Sequence, residues 1–179
     1  MKNKLSENIW RTIAISGGII IFTALFTTGY LYVTRDTNPI PRQLRSQLTF
    51  SPFVIPKDSS NYLTTDYKFS TAEGQVPILS YIITTKGQTI SVSEYSQPPE
   101  FSEIPDYKNQ FLNNVINQYS SVSSASGTIY LGRAVKRNNK QMAIMIERGL
   151  LVFMLPDKDM NDTQWRSLGD QLDVQKMSS

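Results

Sequence analysis

The chain begins with a long apolar segment. Residues 12–33 carry no charge. A helix over this run rises about 1.5 Å per residue and reaches about 33 Å, enough to cross a hydrocarbon core of about 30 Å. Trp10 lies before the run, and Tyr30 and Tyr32 lie near its end, where aromatic side chains favour the membrane interfaces. The pattern predicts a single-pass transmembrane helix after a short tail, residues 1–11. A buried core helix and a cleaved signal peptide are the alternatives.

The orientation of this span does not follow from its flanking charges. Three basic residues precede it and three follow it: Lys2, Lys4 and Arg11, then Arg35, Arg42 and Arg45. The count is tied, so the positive-inside rule does not decide. Because most of the chain follows the span, we expect the tail inside the cell and the large C-terminal domain outside the cell membrane.

The next segment is predicted to be a linker. Residues 34–48 contain Pro39 and Pro41, and each proline restricts the residue before it to extended conformations. The remaining residues, 49–179, are enough to bury a core of their own. We therefore expect one soluble domain after the linker.

Several segments of this domain have strand patterns. Residues 76–84 and 89–95 flank Lys86-Gly87 and predict a hairpin, with period-two alternation in the second strand. Three further strands are predicted later in the chain, at 128–136, 141–147 and 150–155. The run 150–155 is apolar on both faces, which predicts a central strand covered on each side.

Two segments have the period of a helix. The first extends from Tyr107 to Tyr119, with its apolar residues on one stripe. The second extends from Asp162 to Val174, and Asn161 with Gln164 matches a capping box before it. Its expected buried edge consists of Trp165, Leu168 and Leu172. The predicted fold is α+β: an N-terminal transmembrane helix, then a mostly antiparallel β-sheet packed with two helices.

Composition excludes several chemistries. The 179 residues include no Cys and no His. Disulfides, thiolate nucleophiles, zinc fingers and imidazole bases are therefore excluded. The net charge of +3 is too small to indicate nucleic acid, and no cofactor motif is present. We expect a protein that is not an enzyme, has no cofactor and does not bind nucleic acid.

Two groups of charged residues remain as candidates. Carboxylates lie close in sequence at Glu94, Glu100, Glu103 and Asp106, a set that suits glycoside hydrolysis or calcium binding or, more simply, a solvated loop and a helix start. Basic residues lie on one predicted hairpin and its turn, at Arg133, Lys136, Arg137 and Lys140. These four are the candidate contact for an anionic partner, such as lipid headgroups, a cell-wall polyanion or an acidic protein. The alternative is a charged edge that prevents aggregation.

Scattered motifs resemble those of a group of bacterial proteins. They are F-S-P-F-V-I-P at 50–56, N-Y-L-T-T-D-Y at 61–67, T-I-S-V-S-E-Y at 89–95 and D-T-Q-W-R-S-L-G-D-Q-L at 162–172. The layout is similar to uncharacterised single-pass envelope proteins of actinobacteria and candidate phyla. Their outer domain is loosely like the outer domains of some anti-sigma-type regulators. The resemblance implies an extracytoplasmic domain and no site residues.

The leading hypothesis is a membrane-anchored, non-enzymatic domain. It contacts the lipid bilayer through residues 12–33 and binds a protein partner or envelope component. The alternatives are a structural or assembly subunit of an envelope machine and a membrane-tethered enzyme that uses carboxylates or a Ser/Lys pair. The oligomeric state is left open.

Overall fold

The structure, a computed structural model, describes residues 38–71, 76–136 and 138–175. Its elements in chain order are α1 (Arg42–Arg45), β1 (Phe53–Val54), β2 (Leu63–Ser70), β3 (Ile78–Thr85), β4 (Gln88–Ser96), α2 (Glu100–Glu103), α3 (Tyr107–Val115), β5 (Ile116–Ser124), β6 (Gly127–Ala134), β7 (Gln141–Glu147), β8 (Leu150–Pro156), α4 (Asp162–Gln171) and β9 (Asp173–Val174). A 7-stranded antiparallel sheet has the order β2-β3-β4-β8-β7-β6-β5, and β1 pairs with β9. The predicted α+β class with a mostly antiparallel sheet is confirmed.

Strand β8 lies in the middle of this sheet, between β4 and β7. Its side chains alternate between two hydrophobic cores, so that Val152 and Met154 enter the first and Leu151 enters the second. An apolar run without alternation is what a strand covered on both faces requires. The prediction of a central strand at 150–155 is therefore confirmed.

Short turns connect the strands of each half. Gly87 has φ +74° in the β3–β4 turn, and Arg148 and Gly149 have φ +53° and +75° in the β7–β8 turn. Two consecutive residues with positive φ match the twist of a two-residue hairpin. The three predicted strands 128–136, 141–147 and 150–155 appear as β6, β7 and β8, and the hairpin around Lys86-Gly87 appears as β3 and β4.

Both edge strands of the sheet are irregular. The register of β2 shifts between Thr65 and Lys68, where Asp66 has φ +55°. The register of β5 shifts between Asn117 and Ser120, where Gln118 has φ +50°. Bulges of this kind interrupt the row of free backbone groups that an edge presents to other chains.

The first core lies between one face of the sheet and α4. Trp165, Leu168 and Leu172 are buried there, as predicted. The Asn161 side chain accepts a hydrogen bond from the Gln164 backbone at 3.0 Å, and the Gln164 side chain accepts one from the Asn161 backbone at 2.9 Å. The predicted capping box is thus confirmed, although α4 ends at Gln171 rather than at Val174.

The chain enters the domain on this same core. Phe53, Val54 and Ile55 are fully buried in it, and so is Ile40. Leu44 and Leu48 pack against the same cluster. Residues 38–48, predicted as the end of the linker, therefore pack on the domain.

The second core lies on the opposite face, under α2 and α3. Leu112 and Ile116 are buried against Ile144 and Leu151 of the sheet. A series of rings closes the outer side: Phe101 lies 5.1 Å from Phe111, and Phe111 lies 6.2 Å from Phe153.

The helix predicted from Tyr107 to Tyr119 is wrong in its last turn. Helix α3 ends at Val115, and residues 116–124 form β5. Ile116 is still buried, but as a strand residue paired with Ala134. Over a single turn, an amphipathic helix and a half-buried strand can have the same apolar positions, so the sequence pattern does not distinguish them. Pairing with β6 decides for the strand. The segment 97–105, before α3, contains the short helix α2.

The predicted transmembrane helix, residues 12–33, and the tail, residues 1–11, lie outside the described residues. Within the described part of the chain, none of the helices has both the length and the apolar character needed to cross a bilayer.

Candidate binding groove

The four predicted basic residues do not form one cluster. Arg133 lies on β6 and points to the α4 side of the sheet, where it meets Asp159. Lys136 and Lys140 lie in the β6–β7 turn and line a groove with residues of β4 and β8. Arg137 lies outside the described residues. The structure thus separates Arg133 from the two lysines.

Arg133 is held by a carboxylate. Its two terminal nitrogens donate to the two Asp159 oxygens at 3.0 and 2.5 Å, a bidentate arrangement. The hydrogen bonds to Asp159 raise the pKa of Arg133. Because its donors are directed at Asp159, Arg133 is poorly placed to bind an anionic partner.

Lys136 and Lys140 flank a groove of about 520 Å³, which we call the basic groove. Its walls also include the hydroxyl groups of Thr89 and Ser91 and the side chain of Asn138. Leu155 and Pro156 contribute apolar surface, and Asp157 completes the lining. The groove therefore combines two cationic groups with hydrogen-bonding side chains.

The groove contains one carboxylate, Asp157, against the two lysines. Asp157 accepts a hydrogen bond from the Thr89 backbone at 3.0 Å, and its backbone N–H donates to the Thr89 carbonyl at 2.8 Å. Lys158 donates to the Gly87 carbonyl at 3.0 Å. Within the described ranges, neither Lys136 nor Lys140 forms an ion pair through its ammonium group. The net charge of the groove is therefore positive.

The turn that presents the two lysines has a specific backbone conformation. Asn138 and Asn139 have φ +47° and +56°. Asparagine tolerates this left-handed region better than most residues with a Cβ. Lys136 and Lys140 of this turn line the basic groove together with residues of β4 and β8.

A second depression lies beside the basic groove and shares Lys136 with it. Its volume is about 290 Å³, and we call it the apolar pocket. Its lining consists of Asn114, Val115, Ala134, Val135, Lys136 and Met142. Val135 is 45% exposed, so this surface is open to solvent. A positive groove next to an apolar pocket suits a ligand with an anionic group and a neighbouring apolar group.

The four candidate carboxylates are also separated. Glu100, Glu103 and Asp106 are exposed, whereas Glu94 is completely buried in the sheet. Strand alternation in the sequence already indicates the position of Glu94. In β4 the buried residues Ile90 and Val92 alternate with Ser91 and Ser93, and the same alternation assigns Glu94 to the buried face.

Glu94 belongs to a closed set of hydrogen bonds, which we call the Glu94 ring. Glu94 Oε2 accepts from the Phe53 N–H at 2.9 Å. Tyr81 Oη lies 2.5 Å from Glu94 Oε1 and 2.9 Å from the Phe53 carbonyl oxygen. The ring thus joins β1 to β3 and β4.

Burial determines the acidity of these groups. It raises the pKa of Glu94 to about 8, although the hydrogen bonds from Tyr81 and Phe53 act in the opposite direction. Burial and the nearby carboxyl raise the pKa of Tyr81. Burial also raises the pKa of Tyr67, whose ring lies 5.3 Å from that of Tyr81, to about 12. Glu94 is therefore mostly protonated at neutral pH.

The carboxylates offer no metal site within residues 38–71, 76–136 and 138–175, since no three acidic side chains converge there. No protein-family model, curated protein sequence or solved structure matches the chain. A functional proposal must therefore rest on the sequence and the geometry.

Proposed function

We propose that this chain is a single-pass membrane protein whose large domain, outside the cell membrane, binds an acidic segment of a partner protein. The observation that carries the proposal is the basic groove with Lys136 and Lys140 beside the apolar pocket. The uncharged run of residues 12–33 supports the anchor. The resemblance to single-pass envelope proteins agrees with this arrangement and stays a prediction.

The combination of the two depressions favours a protein segment over a polyanion. Carboxylates of an acidic segment can reach Lys136 and Lys140, while the hydroxyls of Thr89 and Ser91 can bind its backbone. An adjacent apolar side chain then has the apolar pocket to enter. A polymer with phosphates alone leaves that pocket without a suitable group.

Binding rather than catalysis is favoured by the way the acidic groups are arranged. The strongly perturbed carboxyl, Glu94, is buried and in contact with Tyr81 and Phe53 rather than with a cleft. The basic groove contains Asp157 as its acidic residue, and this carboxylate is already hydrogen-bonded to backbone. An acid–base pair is thus missing from the described lining of the groove.

Direct binding tests the groove. The purified full chain in detergent is titrated into a fluorescein-labelled peptide of alternating Glu and Leu, and anisotropy is recorded. We expect Lys136→Gln with Lys140→Gln to weaken binding about tenfold, since two exposed charge contacts contribute about 1.4 kcal/mol together. The charge-matched control, Arg148→Gln with Arg166→Gln, removes two positive charges outside the groove and should leave the affinity unchanged.

Competition distinguishes the partner classes. Glycerophosphoglycerol represents an anionic lipid headgroup, and a peptide of Glu alone tests the apolar pocket. If the headgroup displaces the labelled peptide at a lower concentration than the unlabelled peptide does, the groove is a lipid site and the proposed protein partner is wrong. Equal weakening by the groove and control variants would show that binding depends only on net charge.

Topology can be tested independently, because the chain has no cysteine. Single variants Asn3→Cys and Asn113→Cys are treated in intact cells with a thiol reagent that does not cross membranes. We expect labelling at position 113 and none at position 3. Labelling only at position 3 would place the domain in the cytoplasm.

A further inference from the structure

Glu94 connects the sheet to the segment through which the chain enters the domain. We propose that Glu94 is a proton-dependent latch, which holds β1 on the sheet while its carboxyl is protonated and loosens β1 when it ionises. This inference is independent of the basic groove, which lies on the other face of the sheet.

The number of available hydrogens supports a protonated carboxyl. Tyr81 Oη lies within hydrogen-bonding distance of two oxygens, Glu94 Oε1 and the Phe53 carbonyl. The phenol has one hydrogen and can donate to only one of them. If the carboxyl is protonated, it donates to Tyr81, and Tyr81 donates to the Phe53 carbonyl. Each of the three contacts in the ring then has its own hydrogen.

Ionisation removes one hydrogen from the ring. The phenol then donates to the carboxylate, and the buried Phe53 carbonyl loses its Tyr81 donor. A buried charge without a cationic partner is also unfavourable in itself. Both effects are relieved if β1 moves and water reaches the carboxyl. Ionisation should therefore favour opening of β1.

The surroundings of the ring contain little that would compensate the charge. Tyr81 contacts the carboxyl from β3, and Tyr67 packs on Tyr81 from β2. From β8, the residue paired with Glu94 is Val152. β1 contributes the backbone of Phe53. The charged residues lining the cleft beside β1 are Arg148, Asp170 and Asp173.

β1 is suited to local opening because its backbone pairing is short. It pairs only through Phe53 with Val174 and Val54 with Asp173, followed by one further bond from Gln175 to Pro52. A cleft of about 360 Å³ borders Phe53 and Val174 and offers water a place to enter. Because so few backbone hydrogen bonds hold β1, it can open without global unfolding, at the cost of exposing the side chains of Phe53 and Val54.

Hydrogen exchange with mass spectrometry tests the latch on the full chain. Protection of peptides covering residues 49–57 is normalised to intrinsic exchange rates at pH 5 and pH 7. For a carboxyl with a pKa of about 8 when closed and an ordinary value of 4.5 when open, the opening equilibrium rises about tenfold per pH unit in this range. We expect the normalised protection of β1 to fall about 100-fold.

Glu94→Gln is the matched variant. The Gln amide group can donate to Tyr81 and its carbonyl can accept from Phe53, so that it imitates the protonated acid but does not titrate. We expect its β1 protection to stay the same at both pH values. Peptides from β6 and β7 in the wild-type chain report global unfolding, and β1 should exchange faster than they do at both pH values because it opens locally.

Three results would overturn the latch: constant β1 protection in the wild-type chain, the same loss in Glu94→Gln, or β1 protection as high as that of β6 and β7. The last of these would mean that β1 exchanges only through global unfolding. If the Gln variant does not fold, infrared spectroscopy of the wild-type chain provides a second test. The latch requires a protonated carboxylic acid band at pH 6 that is lost as β1 opens.

Discussion

Where α4 lies close to the sheet, an added methyl group would have two opposite effects on stability, a gain in helix propensity and a loss in packing. Gly169 is buried in α4. A Cβ at this position would lie 2.6 Å from Ser124 Cβ and 2.8 Å from Ile129 Cδ1, and would also meet Ser124 Oγ. Real Cβ atoms do not approach other atoms so closely, so Gly169→Ala requires α4 or β5 to move.

The magnitudes of these two effects decide whether Gly169→Ala stabilises or destabilises the protein. Helix propensity alone predicts that Gly→Ala stabilises a helix interior by about 1 kcal/mol. Overpacking in a dense core costs about 1–3 kcal/mol. The contact with Ser124 Cβ is close to the backbone and cannot be relieved by a rotamer change, so we expect the higher part of that range. The net expectation for Gly169→Ala is a loss of about 1–2 kcal/mol.

The assay is denaturant unfolding of the full chain in detergent, followed by the fluorescence of the buried Trp165 in a Trp10→Phe background. Ser124→Gly removes two of the three clashing atoms, so Gly169→Ala should cost less in that background. Arg166→Gly compared with Arg166→Ala measures the propensity effect at an exposed position of the same helix. A stabilised Gly169→Ala protein would refute the packing argument.

Three further predictions follow from single contacts. Asn161→Ala removes the cap of α4 and should lower the free energy of unfolding by about 1 kcal/mol, measured by the same denaturation, whereas Asn161→Asp should retain most of it. Because the pKa of Glu94 is raised from 4.5 to about 8, the folded chain binds more protons than the unfolded chain in this window, and stability should fall as pH rises from 4.5 to 8. The free energy of unfolding should fall by about 1.4 kcal/mol per pH unit, on the order of 5 kcal/mol in all. Glu94→Gln should remove this pH dependence. If the variant keeps the same slope, other groups cause it. Arg133→Gln should leave the affinity for the Glu-Leu peptide unchanged, because Arg133 is bound to Asp159. A tenfold loss of affinity would show that Arg133 belongs to the binding site.

The separation of Arg133 from Lys136 and Lys140 shows what a sequence cluster leaves undecided. The three residues lie within one hairpin and its turn. Strand alternation directs Arg133 to the α4 face, where the β8–α4 loop supplies Asp159. The loop comes from a distant part of the chain, so its position is not contained in the hairpin sequence. Only the lysines remain beside the groove.

Glu94 shows the same limit at a buried position. The alternation of Ile90 and Val92 was sufficient to place Glu94 on the buried face. The alternation does not reveal that Tyr81 and the Phe53 backbone meet the carboxyl there. Those partners come from β3 and from β1, which is 41 residues away in sequence from Glu94. The environment that raises the pKa of Glu94 is therefore a property of the assembled sheet.

Local sequence determined the features that depend on neighbouring residues. The hairpin around Lys86-Gly87, the strands β6 to β8 and the capping box at Asn161 follow from side-chain period, turn residues and short hydrogen bonds. The apolar run of β8 likewise required cover on both faces.

Tertiary structure alone decided the features that depend on pairing between distant segments. It placed β4 beside β8, made residues 116–124 a strand rather than the end of a helix, and closed the Glu94 ring with β1. The physical reason is that local propensities differ by about 1 kcal/mol or less per residue, whereas a paired and buried strand gains hydrogen bonds and apolar contacts along its whole length. Where the two compete, long-range pairing determines the structure.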